Sequence, residues 1–243
     1  MSRSDGRRAT GVDLLQDLSR IAPPTEGYLR RHRHRVKTRL EDGTRTEAYV
    51  VDYVDRTPDK RDAAAIALFA RAEGGAVEDT RVLLRRQVRY AAWVVAGRPL
   101  VTEVHAGLIE GGEPPEACAV REVWEEAGLE IETADVIPLG PPFFMLPGIF
   151  TERIVPLAVE LPRDVLEAAV DLVPPGDGSP FEEGVDAIAL SLGEIFAHIE
   201  RGAPATTAPA ATAPATASDA IIIDDAKTEL VLTRLWRHLE ASR

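Results

Sequence analysis

Gly107-Leu108-Ile109-Glu110-Gly111-Gly112-Glu113-Pro114-Pro115-Glu116-Ala117-Cys118-Ala119-Val120-Arg121-Glu122-Val123-Trp124-Glu125-Glu126-Ala127-Gly128-Leu129 is the stretch on which the reading of this chain turns. Residues 113–127 have helical period. On such a helix Glu122 and Glu126 lie one turn apart on one side, with Glu125 beside them. Val120, Val123, Trp124 and Ala127 are expected to point the other way, toward a core, with Arg121 on the border. Gly128 is placed to end the helix as its left-handed residue. Like charges four residues apart cost roughly 0.2–0.5 kcal/mol per pair on an exposed helix. Carboxylates near a helix C-terminus also oppose its dipole. A bare Glu-x-x-Glu-Glu can be a solvated acidic face, but a chain that accepts both penalties can also be holding a hard cation there. All-oxygen ligation favours Mg²⁺ or Mn²⁺.

The rest of the chain is consistent with a folded domain around this segment. Its 243 residues are 45% hydrophobic and 28% charged, which rules out wholesale disorder and fibrous repeats. No apolar run approaches the roughly 18–20 residues needed to span a bilayer. The polar start, Met1 to Gly6, leads into no hydrophobic region, so a signal peptide is not expected. Cys118 is the single cysteine, which excludes an internal disulfide and favours a reducing, cytoplasmic setting. A net charge of −12 disfavours nucleic acid and anionic membranes as partners and suits a holder of cations.

Residues 1–27 read as a flexible leader, and 28–56 as an N-terminal β-hairpin in which strands 36–40 and 47–54 flank a two-residue Asp42-Gly43 turn. Strands are expected at 63–70, 82–84, 100–104, 154–161 and 185–192, with a Pro/Gly loop at 174–180. Residues 202–218 are almost pure Ala, Pro and Thr and read as linker. In 224–239, Leu230, Val231, Leu235, Trp236 and Leu239 fall at helical spacing, so 219–243 is expected to be a closing helix on the domain at 60–201. Strands interleaved with few helices point to an α/β or α+β sandwich and not to a parallel doubly wound sheet.

Residues 107–129 match G-x5-E-x7-R-E-U-x-E-E-x-G-U, with U a bulky aliphatic, at all nine defined positions. The chain thereby resembles the Nudix hydrolase family. Arg81-Val82-Leu83-Leu84-Arg85-Arg86-Gln87-Val88-Arg89, Pro147-Gly148-Ile149-Phe150-Thr151-Glu152-Arg153 and Asp225-Ala226-Lys227-Thr228 are similar to the ADP-ribose pyrophosphatase branch. The resemblance implies an α/β/α sandwich with a mixed sheet and metal-dependent hydrolysis of a nucleoside diphosphate sugar. It implies metal ligation by Glu122, Glu126 and the Ala106 carbonyl, with Glu125 a further ligand or neighbour. Arg121 would orient the acids and Glu113 would support their loop. Arg89 would meet substrate phosphate and Glu152 would contact substrate. The base would lie on the loop 174–186, at Glu183 by alignment on Asp186, with Glu182 the alternative.

Two positions depart from the branch. Val185 stands where another metal-binding glutamate is common, and Val50-Val51 lacks an expected arginine. ADP-ribose is thus one candidate substrate beside UDP-glucose and GDP-mannose, and a non-catalytic nucleotide-sugar sensor is a second class of reading. The branch also implies a homodimer built through the N-terminal hairpin, since a lone hairpin is marginal in water. Arg30 to Lys37 could grip phosphate-rich ligands, but with no aromatic platform the run reads as a solvated strand. His32 and His34 lack partners at zinc spacing. Cys118, with no evident base, reads as an inert thiol.

Overall fold

Ala63–Ala70 (β3) is an unbroken apolar run, and every residue in it is buried. Alternate residues of a strand leave opposite faces of a sheet, so such a run requires cover on both sides. In the computed structural model, which describes residues 15, 27–56, 62–98, 100–180, 184–202 and 221–243, it has that cover. Ala63, Ala65, Ala67 and Phe69 enter one core with Leu192, Ile195, Val231, Leu232, Leu235 and Leu239. Ala64, Ile66, Leu68 and Ala70 enter a second core with Cys118, Ala119, Val123, Ala127 and Leu166.

Among the described residues the main sheet has eight strands. Its path is Asp186–Ser191 (β10), Arg81–Val88 (β4), β3, Arg153–Glu160 (β9) and Val136–Pro138 (β7). Leu100–Glu103 (β5) pairs with β4, His105–Leu108 (β6) with β3, and Phe143–Phe144 (β8) with β9. The β3–β9 pairing is parallel and the others are antiparallel, which makes the sheet mixed. The helices Pro115–Ala127 (α2) and Arg163–Ala169 (α3) cover one face, and Leu192–Arg201 (α4) and Ala226–Ala241 (α5) the other. A short helix, Tyr90–Ala96 (α1), follows β4. The expected α/β/α sandwich is what forms, with three helices, α1, α3 and α4, that the hydrophobic pattern alone did not reveal. One of them had a legible signal: Ser191 and Glu194 make a reciprocal capping box at the start of α4.

The N-terminal hairpin is a separate two-stranded sheet, Leu29–Val36 (β1) against Tyr49–Arg56 (β2). Its paired strands lie further from the turn than the sequence indicates. The turn is also longer: Leu40 N–H donates to Thr44 O at 2.9 Å around Glu41-Asp42-Gly43. Gly43 has φ +82°, the positive value that closes a three-residue loop. Asp42 accepts from both the amide and the hydroxyl of Thr44, at 2.9 and 2.6 Å. The basic run is a strand whose Arg31 and Arg33 both face Asp52. His32 and His34 pack on Tyr53. The hairpin joins the body through Val54, which donates to Ile149 O at 2.7 Å and accepts from Thr151 N–H at 3.2 Å.

Residues 203–220 fall outside the described residues, and the helix that follows them is built into the core: Leu235 is fully buried while Leu230 is 36% exposed. Leu235→Ala is therefore expected to lower unfolding free energy by about 2–5 kcal/mol. Leu230→Ala should change it by about 0.5 kcal/mol or less. Urea denaturation of the two variants checks the contrast.

Candidate active site

The turn from β6 into α2 carries most of the residues marked by the sequence. Pro115 opens the helix where its missing N–H costs nothing. Gly128, with φ +69°, closes it, its N–H donating to Trp124 O. The inward face is Cys118, Ala119, Glu122, Val123 and Ala127. Trp124, expected inside, is instead 46% exposed. At about 100° per residue, the positions that keep Cys118, Glu122 and Ala119, Val123 inside rotate residue 124 out toward solvent.

Arg121 organises the acids. Its guanidinium donates to both Glu113 oxygens at 3.3 and 3.1 Å, to Glu125 at 3.2 Å, to Glu122, and to the Leu108 carbonyl at 3.0 Å. A planar fork of five donors can serve several acceptors at fixed angles, which an ammonium cannot do. Glu113 also accepts from the Glu110 N–H at 2.9 Å, so it closes the loop between β6 and α2. Burial would raise the Glu113 carboxyl, but the bonds from Arg121 and Glu110 outweigh it and hold it below the usual carboxylate range. Glu122 goes the other way: burial pushes it up, and Arg121 offsets only part of that rise.

Glu122 lies directly against Gly107. A Cβ at position 107 would fall inside the Glu122 carboxylate, so the carboxylate holds this place only with glycine there. Glu126 accepts from the Ala106 N–H at 3.0 Å and pairs with Arg85 of β4, whose guanidinium is buried. Arg85 and its role had no signal in the sequence, because a charged residue inside an apolar strand pattern gives no hint of its partner. Glu122, Glu125, Glu126, Arg121 and Ala106 are thus gathered at one turn.

The remaining marked residues have partners of their own. Arg89 caps the start of α1 and binds Glu103 at 2.7 Å through Nη2. Glu152 is buried and paired with Arg56 at the end of β2, a residue the sequence reading did not single out. Arg56 lies near the rings of Tyr28 and Phe150. Glu182 and Glu183 lie outside the described residues. Cys118 is buried, with its thiol pushed up to about 12 mainly by burial and next by Glu122, so at neutral pH it stays protonated and poorly nucleophilic. His105 is fully buried, and burial followed by the charges of Arg85 and Lys227 holds it down to about 3, in its neutral form.

The donor set suits a hard divalent cation: carboxylates and a carbonyl on one turn, with a glycine cradle for one of the acids. Among the described residues, no three acidic, imidazole or thiol groups already converge as a metal cage. Glu122 and Glu126 are turned to Arg121 and Arg85.

Comparison with known proteins agrees with this geometry. Residues 59–204 match the family described as the NUDIX domain. The chain is 35% identical over 98 residues to a GDP-mannose pyrophosphatase of Cronobacter sakazakii, covering 40% of this chain and 47% of that protein. It is 34% identical over 111 residues to that of Klebsiella pneumoniae, covering 45% and 50%. The chain spans about half the length of these curated relatives. A solved structure described as an ADP compounds hydrolase shares the fold, with a TM-score of 0.52, 18% identity and 86% of each chain covered.

The glycine cradle can be tested without any ligand. Gly107→Ala is expected to destabilise the chain by about 1–3 kcal/mol through overpacking. In the Glu122→Ala background, where the carboxylate is gone, the same change should cost little. Urea melts in EDTA of both singles and the double measure this, and additive losses would show that residue 107 meets something other than Glu122.

Proposed function

Because this chain belongs to the NUDIX family, we propose that it is a metal-dependent pyrophosphohydrolase cleaving the diphosphate of a nucleoside diphosphate sugar into a nucleoside monophosphate and a sugar phosphate. The observation that carries this reading is the gathering of Glu122 and Glu125 around Arg121, with Glu126 beside them on Arg85 and the Ala106 N–H, on a helix held against Gly107. A divalent cation is general to the family. Mg²⁺ or Mn²⁺ would be held here by Glu122, Glu126 and the Ala106 carbonyl, and when bound would supply charge neutralisation at the diphosphate and acidification of a water.

The protein's own residues supply the rest. Arg121 fixes the acids, and Glu125 lies beside them as a further acid at the same turn. Arg89, with a half-exposed guanidinium, is suited to a phosphate oxygen pair. Glu152 contacts the substrate from the loop before β9. Glu183 takes the proton from the attacking water, with Glu182 the alternative, and such base assistance is typically worth about 10²–10⁴-fold. GDP-mannose gains weight among the sugars from the names of the relatives, and ADP-ribose is kept by the branch motifs. The intact acids favour an enzyme over a sensor. The buried single thiol is in keeping with a reducing, cytoplasmic setting, and among the described residues no helix is long and apolar enough to cross a membrane.

The hairpin supports a further element of this reading. Tyr28, before β1, and Tyr49 and Val50, on opposite faces of β2, are exposed, and a twofold partner would cover part of this apolar area. The assembly proposed is a homodimer, and the division into a hairpin at 28–56, a catalytic domain at 60–201 and a docked segment at 219–243 follows the same reading.

Hydrolysis of a panel containing ADP-ribose, GDP-mannose and UDP-glucose with Mg²⁺, with products separated by ion exchange, tests the activity. Glu126→Gln is expected to lower kcat at least about 10²-fold. Glu183→Gln should lower kcat with little change in KM, while Glu182→Gln stays near wild type. Turnover unaffected by Glu126→Gln would remove the assignment. For assembly, light scattering is expected to give twice the mass of one chain at micromolar concentration. A single-chain mass with full activity would rule out the dimer.

A further inference from the structure

Glu103, at the end of β5, is 3% exposed and lies outside the cluster around Arg121. An ionised carboxylate buried this deeply requires neutralising partners. Glu103 divides its two oxygens between them. Oε1 accepts from Gln87 and from Arg89, whose Nη2 and Nε lie at 2.7 and 3.0 Å. Oε2 accepts from Lys227 Nζ at 3.1 Å. Lys227 comes from the first turn of α5, beyond the Ala/Pro/Thr segment, and it too is buried.

That first turn is fixed to the strand at a second point. The Thr228 hydroxyl accepts from the Val104 N–H at 3.0 Å and donates to Asp225 Oδ2 at 2.7 Å. Asp225 caps the helix and also lies 3.0 Å from Lys227 Nζ. Lys227 and Thr228 therefore grip consecutive residues, Glu103 and Val104, two positions before Ala106.

We propose that Lys227 is a positioning residue for substrate phosphate: it shares the neutralisation of Glu103 through Oε2, so that Oε1 alone holds Arg89 in its orientation. This rests on reading Arg89 as the residue that meets phosphate. Without the ammonium, Oε2 would lose its donor, and the Arg89 guanidinium, the one cation left of the two on Glu103, would be drawn across both oxygens and out of its present orientation. The first turn of α5 is then part of the binding site, although the family match ends at residue 204. The effect falls on phosphate binding in the ground state and the transition state alike, which places it in KM.

Steady-state kinetics of the full chain on its best substrate in the panel decides this. Lys227→Met is expected to raise KM about tenfold, the scale of one charge-assisted bond, and to leave kcat within about twofold. Lys227→Arg, which keeps the charge, should bring KM back to within about threefold of wild type. In an Arg89→Ala, Glu103→Gln background, where Glu103 no longer carries a charge to neutralise, Lys227→Met should leave KM where that background alone puts it, because nothing remains to be positioned. A purely structural role would act equally in both backgrounds. Equal KM increases in the two backgrounds, or none in either, would overturn the proposal. If Lys227→Met does not fold, Lys227→Gln keeps a donor without the charge and is read the same way. An unchanged KM in Arg89→Ala itself would show that the assignment of Arg89 is wrong, and this inference falls with it. Failure of the wild type to hydrolyse any of the panel would instead locate the error in the proposed activity.

Discussion

β3 must be covered on both faces, and most of the architecture follows from that requirement. Five of its eight residues are alanine, which lets the layers above and below approach closely. β6 pairs with it through Ala65–Ala106 and Ala64–Gly107, so the two backbone positions that matter most to the site are fixed by register to the most buried strand. From there α2 can lie close enough for Glu122 to occupy the space that any side chain at position 107 would fill. Small residues in the central strand and glycine in its neighbour are two expressions of one steric limit.

Burying carboxylates at such a turn creates an electrostatic problem that the chain resolves with arginines and one lysine. Arg121 serves Glu113, Glu122 and Glu125; Arg85 serves Glu126; Lys227 and Arg89 share Glu103. Buried pairs of this kind often add little net stability, since desolvation consumes most of the Coulombic gain. What they do provide is direction: Glu113, Glu126 and Glu103 are oriented by partners anchored in other elements, and Glu122 and Glu125 by Arg121 of their own helix. The opposite shifts of Glu113 and Glu122 show how finely this depends on position. The two acids share an arginine, yet the more exposed one is held down and the more buried one is pushed up.

α5 has a double role. Its apolar face completes the core with Val231, Leu232, Leu235 and Leu239, and its first turn places Thr228 and Lys227 on the junction of β5 and β6. A helix that follows a low-complexity segment in the sequence is thereby joined to the β5–β6 junction by two contacts, one to backbone and one to a buried charge.

Much of this was legible in the residues themselves. The apolar run of β3, the period of α2 with its terminal glycine, the apolar stripe of α5 and the box spacing are local patterns, set by the 2.0 and 3.6 periods and by glycine's freedom to adopt positive φ. Local pattern also misled: Trp124 was assigned inside because the helical wheel shows which residues share a side, not how far the neighbouring strand rotates that side inward. The Asp42-Gly43 signal located a turn but not its length, which Leu40 and Thr44 set by pairing. The partners of buried charges were beyond the sequence. Arg85 with Glu126, Arg56 with Glu152 and Lys227 with Glu103 each join residues distant along the chain, and such pairing is decided only when the strands take their register and the last helix docks.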